Sequence, residues 1–511
     1  MVAGPEIELK FLFAERDATK VKALVAAAAG DRHASHQRLR TIYFDTPDQD
    51  IWNHGFSLRV RASGDNHVQT VKRMASSRIQ RDEWEAQTGR SELDLGLIKN
   101  TPLARLASKS SIRRAIRPAF EMEIERTSFM LETGAGRIEA SLDQGAIEAN
   151  GEKLGVRELE LELKSGDRSA LFNLASAFMA QAPLHSSLIS KAERGHLLAE
   201  GAWGRAAKSS KPRLEENMTC RRAFQEICQT CLHDFHLNLP GLEKSDNVEA
   251  IHQGRIAIRR LRAAMALFKP MAFDFAYQRL RDELKWLAGL FGAARDMDVL
   301  RANLPPPAPE DQASMRAGEL AGNCDAKRLR AHQAVIEALD GERARTLQLD
   351  LVVWIEDGRW QRQSSGVADK PIQRYAAARL RKRCRKLVKQ GAGLAKLASG
   401  ARHRIRIEAK KLRYMAEFFG DVPGIAKDHK RLNDLINCCE KLQAALGAIR
   451  DEEAMAQFLE NEAGVVAANG PARTATLPAG PRLQPKGGIA KQLQKAVRSH
   501  AKLAAIEPFQ S

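Results

Sequence analysis

The sequence predicts an α+β protein, with a β-rich part over about the first 200 residues and an all-α part after it. Three observations carry this. Apolar residues alternate with polar ones in short runs up to about residue 165, they recur at helical spacing beyond residue 213, and the helical part contains an internal repeat.

The runs "EIELKFLF", "TIYFDT", "FSLRVRA", "HVQTVKR", "DEWEAQ", "FEMEIERTSFML", "GRIEASLD" and "RELELELK" are separated by turn residues and read as strands. A helix is expected over 17–29, and another over 167–181, opened by an acidic residue that can cap it. Residues 201–218, including "GAWGRAAKSSKPR", read as a linker, so the expected domains are 1–200 and 219–511. The Pro-rich "PPPAP" at 305–309 and the Pro/Gly/Ala-rich 464–488 are expected to be loop or flexible chain.

At 511 residues the chain is too long for one ordinary core. No apolar run suits a membrane span and no secretory leader is visible, and seven scattered cysteines do not suggest a disulfide framework. A cytoplasmic protein with no membrane partner is expected. Residues 1–200 hold 28 Lys+Arg against 28 Asp+Glu, whereas 201–511 hold 53 against 35, so the whole net charge of +18 lies in the helical part. Such an excess favours a polyanionic partner.

The strands share a device. "EIELK" places Glu6, Glu8 and Lys10 on one face, and "RELELELK" does the same with Glu158, Glu160, Glu162 and Lys164. "SLRVR" pairs Arg59 with Arg61, "TVK" adds Lys72, "DEWE" pairs Glu83 with Glu85, and "EMEIER" supplies Glu121, Glu123 and Glu125 before Arg126. A solvated outer face explains any one of these strands. Carboxylates crowded across several strands repel unless a cation sits among them, and basic pairs similarly invite an anion. The repetition favours an enclosed charged face, with a divalent cation on an acidic wall and phosphates on a basic one.

The helical part repeats itself. "HQGRIAIRRLRAAMALF" at 252–268 aligns without a gap on "HRIRIEAKKLRYMAEFF" at 403–419, and "GAARDMD" at 292–298 matches "GAIRDEE" at 447–453. On a helix the offsets 0, 3, 7 and 10 share one stripe, so His252, Arg255, Arg259 and Arg262 point together, as do His403, Arg406, Lys410 and Arg413. Two like bundles with halves of about 219–310 and 371–460 are implied, and "RLRKRCRK" at 379–386 adds further charge. Only 5% of residues are aromatic and no stacking rings interleave the basic stripes, so nucleic acid is disfavoured.

Other candidates carry less. "CQTCLHDFH" at 228–236 reads as one helix with reduced buried thiols rather than a zinc site, and the Gly-rich "ETGAG" and "KQGAG" lack the Gly-Lys-Ser/Thr ending of a phosphate loop.

The ordered motifs "EIELK", "YFDT" at 43, "LRVR" at 58, "TVK" at 70, "SLDQG" at 141, "ELELELK" at 158 and "SLISKAERG" at 187 resemble the CYTH family, the triphosphate tunnel metalloenzymes, over nearly all of residues 1–200. The basic repeat over about 219–460 resembles the CHAD domain. The arrangement is most similar to bacterial inorganic triphosphatases in which a CYTH domain precedes a CHAD domain. That resemblance implies a closed antiparallel β-barrel enclosing a triphosphate tunnel, followed by a pseudo-symmetric pair of helical bundles. It implies metal-dependent hydrolysis of inorganic tripolyphosphate to pyrophosphate and phosphate, with Mg²⁺ or Mn²⁺ as cofactor. Glu6, Glu8, Glu160 and Glu162 would bind the metal, with Asp143 as a helper on the acidic side; Glu160 or Glu162 would also orient the water. Lys10, Arg59, Arg61, Lys72, Arg126 and Lys191 would grip the triphosphate, with Lys10 among the catalytic residues. Long-chain inorganic polyphosphate would lie on His252, Arg255, Arg259, Arg262, His403, Arg406, Lys410 and Arg413, and association with polyphosphate granules would follow. The competing readings are a noncatalytic polyphosphate-binding protein, and a class IV adenylate cyclase or thiamine triphosphatase on the same fold.

Overall fold

The computed structural model describes residues 6–73, 79–242, 247–304, 312–363, 366–422, 425, 428–469 and 488–506, with the backbone alone described at Glu6, Gln80, Arg81, 312–319 and 461–469. The chain divides into two compact units that are not contiguous in sequence. Unit 1 comprises residues up to 208 with 232–250 and 336–359, and unit 2 comprises 209–231, 251–335 and the chain from 360.

Unit 1 contains β1 (Glu6–Leu12), α1 (Ala18–Ala29), β2 (Ser35–Asp45), α2 (Asp50–Asn53), β3 (Phe56–Ser63), β4 (Asn66–Arg73), β5 (Gln80–Thr88), α3 (Ala104–Ala107), α4 (Ser110–Ala115), β6 (Arg117–Thr133), β7 (Gly136–Ala149), β8 (Glu152–Gly166), α5 (Arg168–Gln181), β9 (His185–Ser187) and α6 (Lys191–Ala199). The hairpin between β7 and β8 turns on Asn150 and Gly151, both at positive φ (50° and 81°), as a two-residue loop with right-handed flanking strands requires. Helix α5 opens where expected: the Asp167 side chain accepts the Ser169 N–H at 2.8 Å.

The sheet is antiparallel in the order β5-β4-β3-β2-β6-β7-β8-β1-β9. The expected closed barrel is corrected to an open ordering: among the described residues the β1–β5 ladder is confined to Glu6 opposite Arg81 and Ile7 opposite Gln80, with the Glu8 N–H donating to the Ile79 carbonyl at 2.9 Å beside it. The reason lies in how β1 is used. Its residues Glu8–Leu12 pair with β8, and Lys10–Leu12 are taken by β9 on the other edge, so little of the strand remains for a closing ladder.

One apolar layer gathers Leu58, Val60 and Val71 against Ile98, Leu103 and Ile112. Another gathers Leu39, Tyr43, Phe120, Met122, Ile124 and Ile147 with Leu198 of α6. Gly195 of α6 lies so close to Phe120 that a Cβ there would stand 2.0 Å from the ring. The second layer explains a further correction. Since Phe120, Met122 and Ile124 take the core face of β6, Glu121, Glu123 and Glu125 are turned outward, where Arg40 pairs with Glu121 at 2.8 Å and Arg38 with Glu123 at 3.6 Å. Helix α11 (Glu342–Asp357), from the helical part of the sequence, packs on α5 within this unit, and Arg345 donates to the Ala182 carbonyl at 3.1 Å.

The remaining helices are α7 (Cys220–Leu242), α8 (Val248–Ala272), α9 (Phe275–Asn303), α10 (Gln312–Asp340), α12 (Ile372–Gln390), α13 (Ser399–Phe418), α14 (His429–Asn469) and α15 (Gly488–Ala504). The sequence repeat appears as α8–α9 and α13–α14. Its matched phenylalanines meet in the core of unit 2, Phe268 and Phe419 lying edge to face at 6.3 Å, with Tyr375 stacked on Phe268. The "PPPAP" segment and residues 470–487 lie outside the described residues, whereas 464–469 continue α14 rather than forming a loop. Cys228 and Cys231 are buried and not disulfide-bonded. No helix among the described residues is long and apolar enough to cross a membrane.

Candidate functional site

Two constellations stand out, one in each unit. In unit 1, the β1–β8 register sets Glu8 opposite Glu162 and Lys10 opposite Glu160, and the β7–β8 register sets Glu139 opposite Glu162 and Asp143 opposite Glu158. Directly opposed residues share a face, so β1, β8 and β7 present a block of carboxylates. Two basic residues at the start of α6 reach into it. Lys191 Nζ is 2.8 Å from Asp143 and from Glu160 and also contacts Glu158, which Arg194 grips from its other side. Arg126 makes a two-pronged pair with Asp143 at 2.6 and 2.7 Å and reaches Glu160 at 2.5 Å. Lys10 pairs with Glu8, and Lys164 bridges Glu139 at 2.8 Å and Glu162 at 2.7 Å.

These charges are buried: Glu8, Lys10 and Lys191 are each 7% exposed, Asp143 1% and Glu158 0%. Burial by itself lifts the pKa of Glu160, yet Lys191, Arg126 and Lys10 together hold it well below the usual carboxylate range. Against burial, the same carboxylates raise Lys191 and Arg126 above their ordinary values.

The basic wall stands on β3 and β4. Arg59 is buried, and its Nε has no hydrogen-bond partner among the described residues. Among the described residues Arg61 hydrogen-bonds only to the Thr41 hydroxyl, at 3.4 Å; burial first, then Arg59 and Arg126, push its pKa down to about 10. Lys72 pairs with Glu83 opposite it on β5, and Glu85 accepts the Thr70 hydroxyl at 3.1 Å. Cations short of counter-charge beside an acidic wall make a receptor for an anion that carries its own cation.

The structure thus brings Arg126, Asp143, Glu160 and Lys191 together by direct contact and pairs Glu8 with Lys10, which lies opposite Glu160 in the register; Glu162 lies opposite Glu8, and Arg61 is within electrostatic range of Arg126 and Glu160. The Glu6 side chain lies outside the described residues. Asp143 is committed to Arg126 and Lys191. Glu139, Glu158 and Arg194 also belong to the constellation, beyond the residues expected from the sequence. Glu139 had a signal, since it alternates with Ser141 and Asp143; Arg194 had a fainter one, three residues after Lys191 on a short helix. Among the described residues no group of three or more His, Cys, Asp or Glu side chains is drawn together around a common point for a metal. The donors are nonetheless carboxylate oxygens in adjacent registers, a set that suits a hard divalent cation.

In unit 2 the two basic stripes converge on one cleft of about 430 Å³. Helix α8 contributes Arg255, Arg259 and Arg262; α13 contributes His403, Arg406 and Lys410. No carboxylate among the described residues lines it. The "GA…RD" repeats lie against two of its arginines: a Cβ at Gly292 would meet the Arg255 guanidinium at 3.7 Å, and one at Gly447 would meet that of Arg406 at 3.3 Å. Asp296 holds Arg255 at 3.1 Å, and its repeat partner Asp451 lies beside Arg406. His252 does not line the cleft, and Arg413 is drawn aside to Glu417 and Glu440 at 3.2 and 3.1 Å. Burial lowers the pKa of Arg259 and Arg406, and Lys410 falls to about 6 under burial together with Arg259, Arg406, Arg255 and Arg413.

The model of the CYTH domain matches residues 4–196, and that of the CHAD domain matches residues 226–460. An inorganic triphosphatase of Haemophilus influenzae is 28% identical over 201 residues, which are 38% of this chain and 54% of that protein. An uncharacterized protein of Mycobacterium tuberculosis is 25% identical over 315 residues, 58% of each chain. The matches therefore span little more than half the length of these relatives. A crystal structure of the CHAD domain from the plant Ricinus communis aligns with a TM-score of 0.47 at 24% identity, over 60% of this chain and 98% of that one.

Proposed function

We propose, for a chain that carries a CYTH domain followed by a CHAD domain, that unit 1 hydrolyses inorganic tripolyphosphate and unit 2 binds long-chain inorganic polyphosphate. The observation that carries the first part is the under-compensated basic wall, Arg59 with its buried unpartnered Nε and Arg61 with its depressed pKa, facing the buried carboxylates of β1 and β8. The triphosphatase relative supports a phosphate-anhydride substrate.

In this reading Arg59, Arg61, Lys72 and Arg126 hold the phosphate oxygens, and Lys10 and Lys191 neutralise the charge that builds on them as water adds to phosphorus and pyrophosphate leaves. Such chemistry asks the protein chiefly for positioning and charge. Glu8 and Glu162, with Glu139 beside them, would hold Mg²⁺ or Mn²⁺; when bound, the metal neutralises phosphate oxygens and acidifies water. Glu160 stays ionised among its cations, so it accepts a hydrogen bond and orients the water rather than storing a proton. Asp143 and Glu158 keep Arg126, Lys191 and Arg194 aimed.

The test is phosphate release by the full chain from tripolyphosphate, with pyrophosphate, ATP and thiamine triphosphate alongside, each with Mg²⁺ or with chelator. Metal-dependent release confined to tripolyphosphate supports the assignment. Silence on all four substrates with both Mg²⁺ and Mn²⁺ leaves anion binding or cyclase chemistry. For unit 2, the measurement is binding of long-chain polyphosphate in competition with duplex DNA and RNA.

A further inference from the structure

One amine in the basic cleft differs from every cation around it. Lys410 lines the cleft, and no carboxylate among the described residues pairs with it. Of its neighbours, Asp296 holds Arg255, Glu417 and Glu440 hold Arg413, and Glu408 holds Lys411, the other amine of the cleft, at 3.0 Å; Arg259 and Arg406, like Lys410, have no carboxylate at ion-pair distance among the described residues. The groups facing Lys410 are Arg255 and Arg259 from α8, Arg406, Arg413 and His403 from α13, and Asp451 from α14, so cations dominate. Its counterpart in the other repeat is Arg259. A guanidinium cannot give up its proton under such pressure, but an ammonium can.

We propose that Lys410 is a modification site, an amine among arginines with no carboxylate partner in the cleft, which acyl phosphates acylate and a bound polyanion protects. This rests on the cleft being an anion site. Burial and the four arginines bring the ammonium pKa to about 6, so the free amine predominates at neutral pH. The cleft arginines attract the phosphate end of an acyl phosphate and bring its carbonyl to the amine. The Nζ lone pair forms the N–C bond, the bond from the carbonyl carbon to the phosphate oxygen breaks, inorganic phosphate leaves with that electron pair, and the surplus amine proton passes to water. The product is an uncharged amide in the middle of the cleft. A polyanion reverses the starting condition, because its charge restores the proton to Lys410 and its bulk fills the space.

The experiment treats the full-length protein with acetyl phosphate at neutral pH, with and without long-chain polyphosphate, and follows each lysine by peptide mass spectrometry. Lys382 and Lys389, exposed on α12, are the internal comparison. An ordinary lysine is neutral in only about one molecule in a thousand at pH 7, so even after allowance for lower basicity Lys410 is expected to react about tenfold faster. Polyphosphate is expected to slow Lys410 alone. Acetylation of Lys410 at or below the rate of Lys382 overturns the proposal. Fast acetylation that polyphosphate does not slow overturns the polyphosphate reading of the cleft while retaining the reactive amine.

Discussion

Lys191 Nζ stands 2.8 Å from Glu160 Oε1, so the first residue of α6 neutralises the centre of β8. Lys191 is buried and the Glu160 side chain is 15% accessible, and the carboxylate is held well below the usual range only because Lys191, Arg126 and Lys10 outweigh the cost of desolvation. A carboxylate depressed in this way adds stability above its unfolded pKa, and that stability is lost as pH falls through the folded value. Lys191→Met therefore raises the Glu160 pKa, so the loss sets in at a higher pH. We expect tripolyphosphate hydrolysis to fall by at least about a hundredfold and its acid limb to move upward. Stability should drop by roughly 3–5 kcal/mol, as for a broken buried ion pair. Urea melts and initial rates across pH 4–8 check both; an unmoved acid limb would remove Glu160 from the reaction.

Glu8 and Glu162 face each other across β1 and β8 and form the proposed seat of the divalent ion. Glu8→Gln or Glu162→Gln keeps the shape and removes one charge. Each is expected to raise the Mg²⁺ concentration needed for half-maximal rate about tenfold or more. Chelator should silence the wild type completely. A variant whose metal titration overlays that of the wild type would place the ion elsewhere.

Much of this site was readable in alternation. Glu8 with Lys10, and Glu160 with Glu162, declare a shared face because a strand has period two. What alternation cannot declare is which face turns inward. For β6 the answer came from Phe120, Met122 and Ile124, whose burial turned Glu121, Glu123 and Glu125 to solvent and left Arg126 and later residues to enter the site. Lys191 and Arg194 were harder to place, because a short helix shows its contacts only once packed. Nor did helical periodicity reveal that 336–359 belongs with the sheet unit, since it identifies an apolar face and not the surface that face covers. In unit 2 the repeat gave both basic stripes, but only packing separates cleft-lining Lys410 from Arg413, diverted to Glu417 and Glu440.

The outward face of β6 provides a control. Arg40 and Glu121 form an exposed pair, their side chains 59% and 43% accessible. Arg40→Ala and Glu121→Ala should each change stability by less than about 1 kcal/mol and leave hydrolysis intact. A large loss of activity in either would return the β6 glutamates to the catalytic face.

Polyphosphate binding should depend on pH through Lys410. In the empty cleft its pKa is about 6, under burial and the four arginines, while an anion opposes the arginine charge and raises it. Binding then takes up a proton between the free and bound values, so affinity falls as pH rises above about 6. Isothermal titration at pH 6 and pH 8, in buffers of differing ionisation heat, measures this. Lys410→Arg should bind at pH 8 about as tightly as the wild type does at pH 6, without the proton uptake. His403, whose own pKa is lowered by burial and then by Arg450, is the competing titrant, and His403→Gln should leave the uptake in place.

Gly195 links the fold to the chemistry. It sits on α6 between Arg194 and the core, against Phe120, where a Cβ would meet the ring at 2.0–2.4 Å. The ring is itself stacked on Tyr43 and edge-on to His196, so it has little room to yield. Gly195→Ala must therefore push α6 outward, at about 1–3 kcal/mol for overpacking. The displacement carries Lys191 and Arg194 away from Glu158 and Glu160, although neither residue is changed. We expect hydrolysis to fall more than stability alone explains at temperatures where the variant remains folded, and Phe120→Leu to restore part of both by making space. Thermal melts and rates on the single and double variants test this. Loss of stability with unchanged activity in the folded variant would mean that α6 shapes the core without positioning the site.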